Sequence, residues 1–393
     1  MRANPFRIKA RAGAARAGVL ETAHGTLRTP AFVPLASTGT VKTLRPAEVA
    51  ALGFEMVLGN TFHLFIRPGH ERIARLGGLH EFMGWRHPII TDSGGFQVFS
   101  MGHGTVAAEI KRSGGRESEG RVLAIDERGV RFRSYLDGAE CFMGPEESMA
   151  VQAALGSDVA LAFDECTPFH ADRDYTARST ERTHRWLERC VACHADGAPP
   201  GQLLFGIVQG GVFEDLREES ARTVAASGVD GVAIGGSLGR EKAQMAEVVG
   251  WSVSALPEDR ARHLLGIGDV DDVLAAVRAG VDMFDCATPT RLGRHGTALV
   301  PEPGARWRLD LTAPASREAR EPISPRCPCP ACRDHTRAYL HYLARANEPT
   351  GARLVTLHNL TFMATLMEGI RAAIAAGDLE RYAAAVMGGE APY

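Results

Sequence analysis

Short apolar runs alternate with longer amphipathic stretches along most of the chain. The apolar runs occupy residues 55–60, 88–95, 158–165, 203–211, 231–236, 263–269 and 282–289. Short runs with little polar alternation are typical of strands that are buried on both faces of a sheet. The stretches between them have helical periodicity, and they include residues 144–155, 176–194, 213–227 and 270–280.

Repeated strand–helix units of this kind predict parallel strands joined by right-handed crossovers. We place a further strand near VTLHNL (355–360), and the count then favours an irregular (β/α)8 TIM barrel over an open doubly wound sheet. The glycines in 206–211 and 233–239 lack the GxGxxG spacing of a dinucleotide-binding fold. Residues from about 6 to 45 predict an N-terminal antiparallel cap, and the polar stretch 103–134 predicts a loop.

Three of the eight cysteines crowd into six positions, as Cys327, Cys329 and Cys332. In a reducing compartment such crowding favours a metal over disulfide bonds. Three thiolates around a proline-rich turn suit a tetrahedral zinc ion, which needs a fourth ligand. The spacing leaves both His335 and His358 as candidates, and a closed site with four ligands is structural rather than catalytic.

The proline- and arginine-rich segment that begins at about residue 304 interrupts the strand–helix rhythm. We therefore predict a barrel with its cap (1–303), an inserted zinc-binding subdomain (304–360) and a C-terminal helical segment that packs on the barrel (361–393). No apolar run approaches the roughly 20 residues of a membrane helix, and the basic N-terminus lacks the apolar stretch of a signal peptide. A cytoplasmic protein without membrane contact is expected.

The net charge of −3 excludes a uniformly basic nucleic-acid-binding protein. The charge is unevenly distributed along the chain, because residues 286–353 contain 11 Arg, no Lys and 6 acidic residues. This basic region either binds phosphates locally or is a solvated surface without a partner.

Polar residues follow the predicted strands, at the end where barrel enzymes build their active sites. They are Asn60, Asp92, Asp164, Gln209 and Asp285. A single aspartate after a strand is often a helix cap, but several at equivalent positions predict one pocket. Such carboxylates serve either as metal ligands or as a nucleophile with a general acid/base. We favour the second role, because His63 and His263 are doubtful ligands.

A carboxylate nucleophile is typical of attack on the anomeric carbon of a sugar. Arg291 and Arg294 follow Asp285 closely, and they are well placed to hold phosphates beside a reacting sugar. Phe96 either stacks on a planar base or packs in the core.

Several long motifs together resemble the tRNA-guanine transglycosylase family over nearly the whole chain. They are TDSGGFQVFS (91–100), FDECTP (163–168), FGIVQGG (205–211), AIGG (233–236), MFDCATPTRLGRHG (283–296) and the cysteine cluster with its histidine. The resemblance implies an irregular (β/α)8 barrel with a zinc subdomain. It also implies a pentosyltransferase of queuosine biosynthesis, which exchanges the wobble guanine of certain tRNAs for a 7-deazaguanine.

The resemblance also implies a role for each residue that matches a motif. Asp285 would be the nucleophile that bonds to the ribose, and Asp92 would be the general acid/base. The residues that bind the edge of the base would be Ser93, Asp164, Gln209 and Gly236, and Phe96 would stack on its face. The anticodon backbone would be held by Arg291 and Arg294. One structural Zn²⁺ per chain would be held by Cys327, Cys329, Cys332 and His358, which favours His358 over His335.

The sequence departs from the commonest bacterial pattern, GGLxVGE, because residues 235–241 read GGSLGRE. In the family this loop contacts the 7-substituent of the base. Cys166 favours preQ1, the 7-aminomethyl base, whereas Gly239 would admit the bulkier queuine. We favour preQ1, and the family also suggests a homodimer.

Three rival functions fit the sequence less well. An archaeal-type enzyme would need an appended RNA-binding domain, and only 35 residues follow His358. A non-catalytic tRNA-binding subunit should lack the nucleophile, whereas Asp285 and Asp92 are both present. A carboxylate glycosidase would explain neither the cysteine cluster nor the arginine pair.

Overall fold

The computed structural model describes residues 4–97, 122–167, 170–236, 238–239 and 242–393. The strands are Phe6–Ala12 (β1), Ala15–Thr22 (β2), Gly25–Thr29 (β3), Ala31–Pro34 (β4), Val57–Gly59 (β5), Ile89–Thr91 (β6), Val122–Ile125 (β7), Val130–Arg133 (β8), Glu140–Met143 (β9), Val159–Leu161 (β10), Leu203–Val208 (β11), Gly231–Ile234 (β12), Ala261–Leu264 (β13), Met283–Cys286 (β14), Thr297–Leu299 (β15) and Arg308–Asp310 (β16).

The helices are Pro46–Ala51 (α1), Thr61–Ile66 (α2), His70–Arg75 (α3), Gly78–Met83 (α4), Pro145–Leu155 (α5), Arg173–Gly197 (α6), Glu214–Ala226 (α7), Lys242–Ser254 (α8), Val270–Arg278 (α9), Thr288–Arg294 (α10), Pro330–Asp334 (α11), Arg337–Arg345 (α12), Pro349–Ala376 (α13) and Leu379–Met387 (α14). Short 3₁₀ turns lie at Pro303–Ala305 and Pro314–Ser316. None of the helices in this described part of the chain is long and apolar enough to span a membrane.

Among the described residues, eight parallel strands form a nearly closed barrel in the order β4-β14-β13-β12-β11-β10-β6-β5. A single parallel bridge between Leu35 and Leu58 joins the two ends of this sheet. Strands β10, β11 and β12 are buried along their whole length, which explains their uninterrupted apolar sequences. The predicted barrel is confirmed, and a barrel strand lies in or overlaps each of the seven apolar runs.

The predicted position of the eighth strand, 355–360, is wrong. Those residues lie in the middle of helix α13, and the eighth strand is β4, which falls within the segment predicted as the cap. Leu360 packs in an apolar cluster on the barrel side of the helix. Val355 packs in a second apolar cluster, which belongs to the cysteine-rich segment. Because this part of the helix is buried on several sides, its sequence shows no one-sided helical period.

The predicted N-terminal cap is confirmed as an antiparallel sheet of β1, β2 and β3. A buried ion pair ties it to the barrel, because Arg16 Nε donates to Asp282 Oδ1 at 2.9 Å, just before β14 begins. The backbone N–H of His24 donates to Asp158, just before β10, at 2.9 Å. The cap therefore covers the N-terminal ends of the strands and leaves their C-terminal ends for chemistry.

The predicted loop 103–134 is partly wrong, and its residues 103–121 lie outside the described residues. Strands β7 and β8 occupy most of the rest and form an antiparallel sheet with β9. In β8, buried Val130 and Phe132 alternate with exposed arginines. This alternation is that of a half-buried strand, which the charged side chains concealed.

The cysteine-rich segment has its own apolar cluster, formed by residues between 298 and 355. Hairpin β15–β16 and helices α11 and α12 contribute to it. Helix α13 begins in this segment and runs without a break through residues 360 and 361 to the barrel side. The proposed domain boundaries stay a prediction.

Candidate active site and metal centre

The polar residues predicted from the strand ends meet at the C-terminal end of the barrel. Asp92 follows β6, Asp164 follows β10, Gln209 follows β11, and Asp285 lies in the last part of β14. Hydrogen bonds link several of them, because Ser93 Oγ and Gln209 Nε2 both donate to Asp164. These side chains therefore form one site, although they are far apart in the sequence.

Asp285 presents one carboxylate oxygen that has no hydrogen bond to the described part of the chain. Its Oδ1 accepts a hydrogen bond from the Gly266 N–H at 3.2 Å, and His263 Nε2 lies 2.9 Å from the same oxygen. The side chain is 10% exposed, so a substrate atom can reach Oδ2. A carboxylate that is fixed through one oxygen and free at the other is suited to nucleophilic attack.

Asp92 is partly buried, and hydrogen-bond donors enclose its carboxylate. Its Oδ1 accepts from the backbone N–H groups of Thr61 (2.8 Å) and Gly94 (3.2 Å), and its Oδ2 accepts from the amides of Asn60 and Gln97. Burial raises the pKa of Asp92 to about 7, the nearby charge of Asp285 adds to this, and the donors oppose it. A carboxyl group with a pKa near neutrality can both donate and accept a proton.

Asp164 and Gln209 form a buried acceptor surface next to Asp92. Ser93 Oγ donates to Asp164 Oδ1 at 2.8 Å, and Gln209 Nε2 donates to Oδ2 at 2.6 Å. Burial raises the pKa of Asp164 to about 6, against the effect of these two donors. Gln209 Oε1 is buried without a hydrogen-bond partner among the described residues, which leaves an acceptor for the N–H group of a ligand.

Gly236 approaches this acceptor so closely that no side chain fits. Its φ is +75°, and a Cβ atom at this position would lie 2.3 Å from Gln209 Oε1. The buried guanidinium of Arg217 fixes the neighbouring backbone by donating to the carbonyls of Gly235 (2.8 Å) and Gly211 (2.7 Å). Arg217 could not be recognised from the sequence, because a charged residue in an amphipathic helix is normally solvated.

We expect Gly236→Ala to raise the KM for a ligand that binds at Gln209 Oε1 by about 10- to 100-fold, through backbone strain and displacement of Gln209. Steady-state kinetics of the base exchange that the resemblance predicts measure this effect. Gly228→Ala is the matched control, because Gly228 has a φ of +82° and open space around its Cβ position. An equal rise in KM for both variants would contradict a specific role for the close approach.

Phe96 lies on the surface of the site, with 45% of the residue exposed. The alternative that its ring packs in the core is therefore wrong. It is next to Gln97, whose amide donates to Asp92 at 3.1 Å. In the loop predicted to contact the 7-substituent, residues 237, 240 and 241 lie outside the described residues.

The arginine pair lies on α10, directly after the strand that carries Asp285. Arg291 is exposed and Arg294 is half-buried. Helix α10 packs tightly on α13, since a Cβ atom at Gly293 would lie 2.7 Å from the Thr356 backbone. Asn359 Nδ2 also donates to the Pro289 carbonyl at 2.9 Å. Helix α13 therefore determines where the arginines lie.

The same helix carries one member of a buried cluster that could hold a metal ion. The cluster consists of Cys327, Cys329, Cys332 and His358, whose ligand atoms lie within 4.8 Å of one another. His358 Nδ1 is 3.2 Å from Cys332 Sγ and 3.6 Å from Cys329 Sγ. These distances are near the N···S edge of about 3.5 Å expected for a tetrahedral zinc site with three thiolates.

The orientation of the histidine ring also fits a metal ligand. His358 Nε2 lies 2.7 Å from the Leu299 carbonyl and donates to it, which leaves Nδ1 as the lone-pair nitrogen that faces the sulfur atoms. His335 is not part of the cluster, and its ring packs against Tyr339 instead. The donor set and its geometry are therefore compatible with zinc.

Comparison with known proteins gives consistent results over nearly the whole chain. A family model described as "Queuine tRNA-ribosyltransferase" matches residues 11–390. A queuine tRNA-ribosyltransferase of Roseiflexus sp. is 50% identical over 373 residues, which cover 92% of this chain and 93% of that protein. Proteins of the same name from Pelotomaculum thermopropionicum and Cereibacter sphaeroides are 48% and 44% identical, with coverage of 93% or more of each chain.

Proposed function

The chain belongs to the queuine tRNA-ribosyltransferase family, and we propose that it exchanges the wobble guanine of tRNA for a 7-deazaguanine through a covalent bond between Asp285 and the ribose. One observation carries the proposal: Asp285, with a free carboxylate oxygen, and Asp92, with a pKa of about 7, lie in one site. The test is loss of exchange and of the covalent adduct when Asp285 is replaced.

In the first step, Oδ2 of Asp285 attacks the anomeric carbon of the ribose. The glycosidic bond breaks, its electron pair passes to the base nitrogen, and Asp92 donates a proton to the leaving guanine. The wobble base lies in a single-stranded loop, so little stacking energy opposes its movement into the pocket.

In the second step, the incoming 7-deazaguanine transfers the proton of its ring nitrogen to the Asp92 carboxylate. The ring nitrogen then attacks the anomeric carbon, and the bond between this carbon and Asp285 breaks. Two successive displacements retain the configuration of the ribose. The RNA backbone stays intact, since only the bond to the base is broken.

We propose that the base lies against Asp164, Gln209 and Ser93, with Gly236 below it and Phe96 stacked on its face. The Asp164 carboxylate and Gln209 Oε1 can accept from the ring and amino N–H groups of a guanine edge. The close approach at Gly236 supports a planar ligand there.

The incoming base we favour is preQ1, because Cys166 follows Asp164 and Glu165 as in bacterial FDEC motifs. A comparison of preQ1, queuine and guanine as substrates on one tRNA with a wobble guanine tests this choice. Preferred use of queuine would contradict it.

The rate of guanine release should depend on pH through the carboxyl groups of Asp164 and Asp92. Asp164 must be ionised to accept from the base, so activity should rise up to about pH 6. Asp92 must be protonated to donate to guanine, so the rate should fall above about pH 7, by about tenfold per pH unit. Single-turnover release of labelled guanine between pH 5 and 9 measures this. A flat profile over that range would argue against Asp92 as the acid.

Arg291 and Arg294 are proposed to bind the phosphates of the anticodon loop. They follow the proposed nucleophile on the same end of the barrel, and Arg291 is exposed. Phosphate contacts fix the position of a nucleic acid without reading its sequence. They would thus hold the wobble ribose beside Asp285.

We propose that the cluster of Cys327, Cys329, Cys332 and His358 holds one structural zinc ion. A closed four-ligand site has no open position for a reacting group, so this ion would shape the segment rather than take part in the exchange.

We also propose a homodimer that uses α12. This helix exposes Tyr339 (42%) and Tyr342 (63%), and exposed aromatic residues are enriched in protein interfaces.

A further inference from the structure

His263 is a fully buried histidine directly beside the proposed nucleophile. Its Nε2 lies 2.9 Å from Asp285 Oδ1, and the residue is 0% exposed. In the sequence it is the third residue of an apolar strand, where a histidine is usually a satisfied core residue. Here neither ring nitrogen has a hydrogen-bond partner among the described residues.

The position of His263 in the barrel explains why no other group satisfies it. Ala261, on the same strand, packs in the interior cluster, so the His263 side chain also points into the barrel. Its strand partners are Ala233 and Met283, neither of which has a polar side-chain atom that could satisfy the ring. Among the described residues, the carboxylate of Asp285, two residues after Met283 on β14, lies within 2.9 Å of the ring.

An unsatisfied polar group in such an interior is unfavourable. The N–H axis of the ring is not aligned with Asp285 Oδ1, so the close contact is not yet a hydrogen bond. Hydrogen bonds of catalytic groups are often poorly aligned before substrate binds, and they tighten in the reacting complex. A small rotation of the Asp285 carboxylate would complete the hydrogen bond from His263 Nε2.

The geometry points to His263 as a positioning residue for the nucleophile. When tRNA binds, its Nε2–H donates to Oδ1 of Asp285, together with the N–H of Gly266. Both donors bind the same oxygen, so Oδ2 is the oxygen that attacks the ribose. This inference rests on the proposed role of Asp285.

The same contact acts in both displacement steps. As Oδ2 bonds to the anomeric carbon, Oδ1 becomes the carbonyl oxygen of an acyl ester and keeps its two donors. When the incoming base breaks that ester, the electron pair of the C–O bond returns to the carboxylate, and the donors stabilise the charge that develops. His263 touches neither the base nor the RNA, so its loss should affect kcat rather than the binding of tRNA.

The test compares His263→Met, which removes the donor at similar volume, with His263→Gln, which keeps an N–H donor of similar reach. We expect His263→Met to lower kcat and the single-turnover rate of guanine release by about 10- to 100-fold, with the KM for tRNA within about threefold of wild type. We expect His263→Gln to keep at least about ten times the kcat of His263→Met. Thermal unfolding of both variants reports whether the barrel is intact.

Leu203→Met is the control for a change within the same interior cluster, at the opposite end of the strands. Equal kcat values for His263→Met and His263→Gln, or a His263→Met enzyme as fast as wild type, would overturn the inference. The Asp285→Asn variant is measured in parallel. If Asp285→Asn retains exchange, the proposed function itself fails. If Asp285→Asn is inactive and His263→Met is fully active, only the role of His263 is rejected.

Discussion

Replacing Asp285 by asparagine is expected to lower guanine exchange into tRNA by about 10⁴-fold or more. Asparagine has the same shape, and its amide oxygen can still accept from the Gly266 N–H, so the fold should be kept. The amide is a poor nucleophile, because its nitrogen lone pair is delocalised and its oxygen carries no full charge. Incorporation of labelled guanine into a tRNA with a wobble guanine measures the loss.

A second measurement connects this loss to the covalent step. Wild-type protein that is mixed with tRNA and then denatured should run as a protein–RNA adduct on a gel, and Asp285→Asn should give none. Asp259→Asn is the matched control, since Asp259 forms an exposed ion pair with Arg260 just before β13, at the opposite end of the barrel strands. Undiminished exchange by Asp285→Asn would rule out the proposed mechanism.

Loss of the metal should produce the largest effect on stability. We expect about one zinc ion per chain in freshly purified protein, and almost none in Cys329→Ser. The midpoint of thermal unfolding should fall by at least about 5 °C, because the free energy of metal binding is also folding free energy. Elemental analysis and thermal unfolding with and without a chelator measure both effects.

The metal should also affect RNA binding, because α13 carries His358 and contacts the arginine helix α10 through Asn359. We expect the KM for tRNA to rise in Cys329→Ser. Cys193→Ser is the control, because Cys193 has CxxC spacing with Cys190 but is not part of the metal cluster. Purified wild-type protein without zinc would contradict the proposed metal site.

Features that depend on neighbouring residues could be predicted from the sequence. The strands of a parallel barrel are apolar on both faces, so seven of them were recognised as continuous apolar runs. The cysteine cluster was recognised because its thiols come from one tight turn. The strand-end carboxylates were recognised because parallel strands bring their C-terminal ends together.

Features that depend on distant segments could not be predicted in this way. The eighth strand, β4, begins two residues after the end of β3 with no helix between them, so the sequence did not separate it from the cap strands. The helix mistaken for it is buried on several sides, so it had no one-sided helical period. Arg217 was not singled out, because burial of its charge depends on carbonyl groups at the ends of two strands.

The sequence by itself determined which residues of this protein are available for chemistry: the carboxylates at the strand ends, the three cysteines and the arginine pair. Only the tertiary structure decided how they act. The raised pKa of Asp92 comes from burial and from the charge of Asp285, nearly 200 residues away in the chain. The spacing left His335 and His358 open and the resemblance favoured His358, and folding brings His358 to the three cysteines. The contact of His263 with the nucleophile likewise depends on segments that only folding brings together.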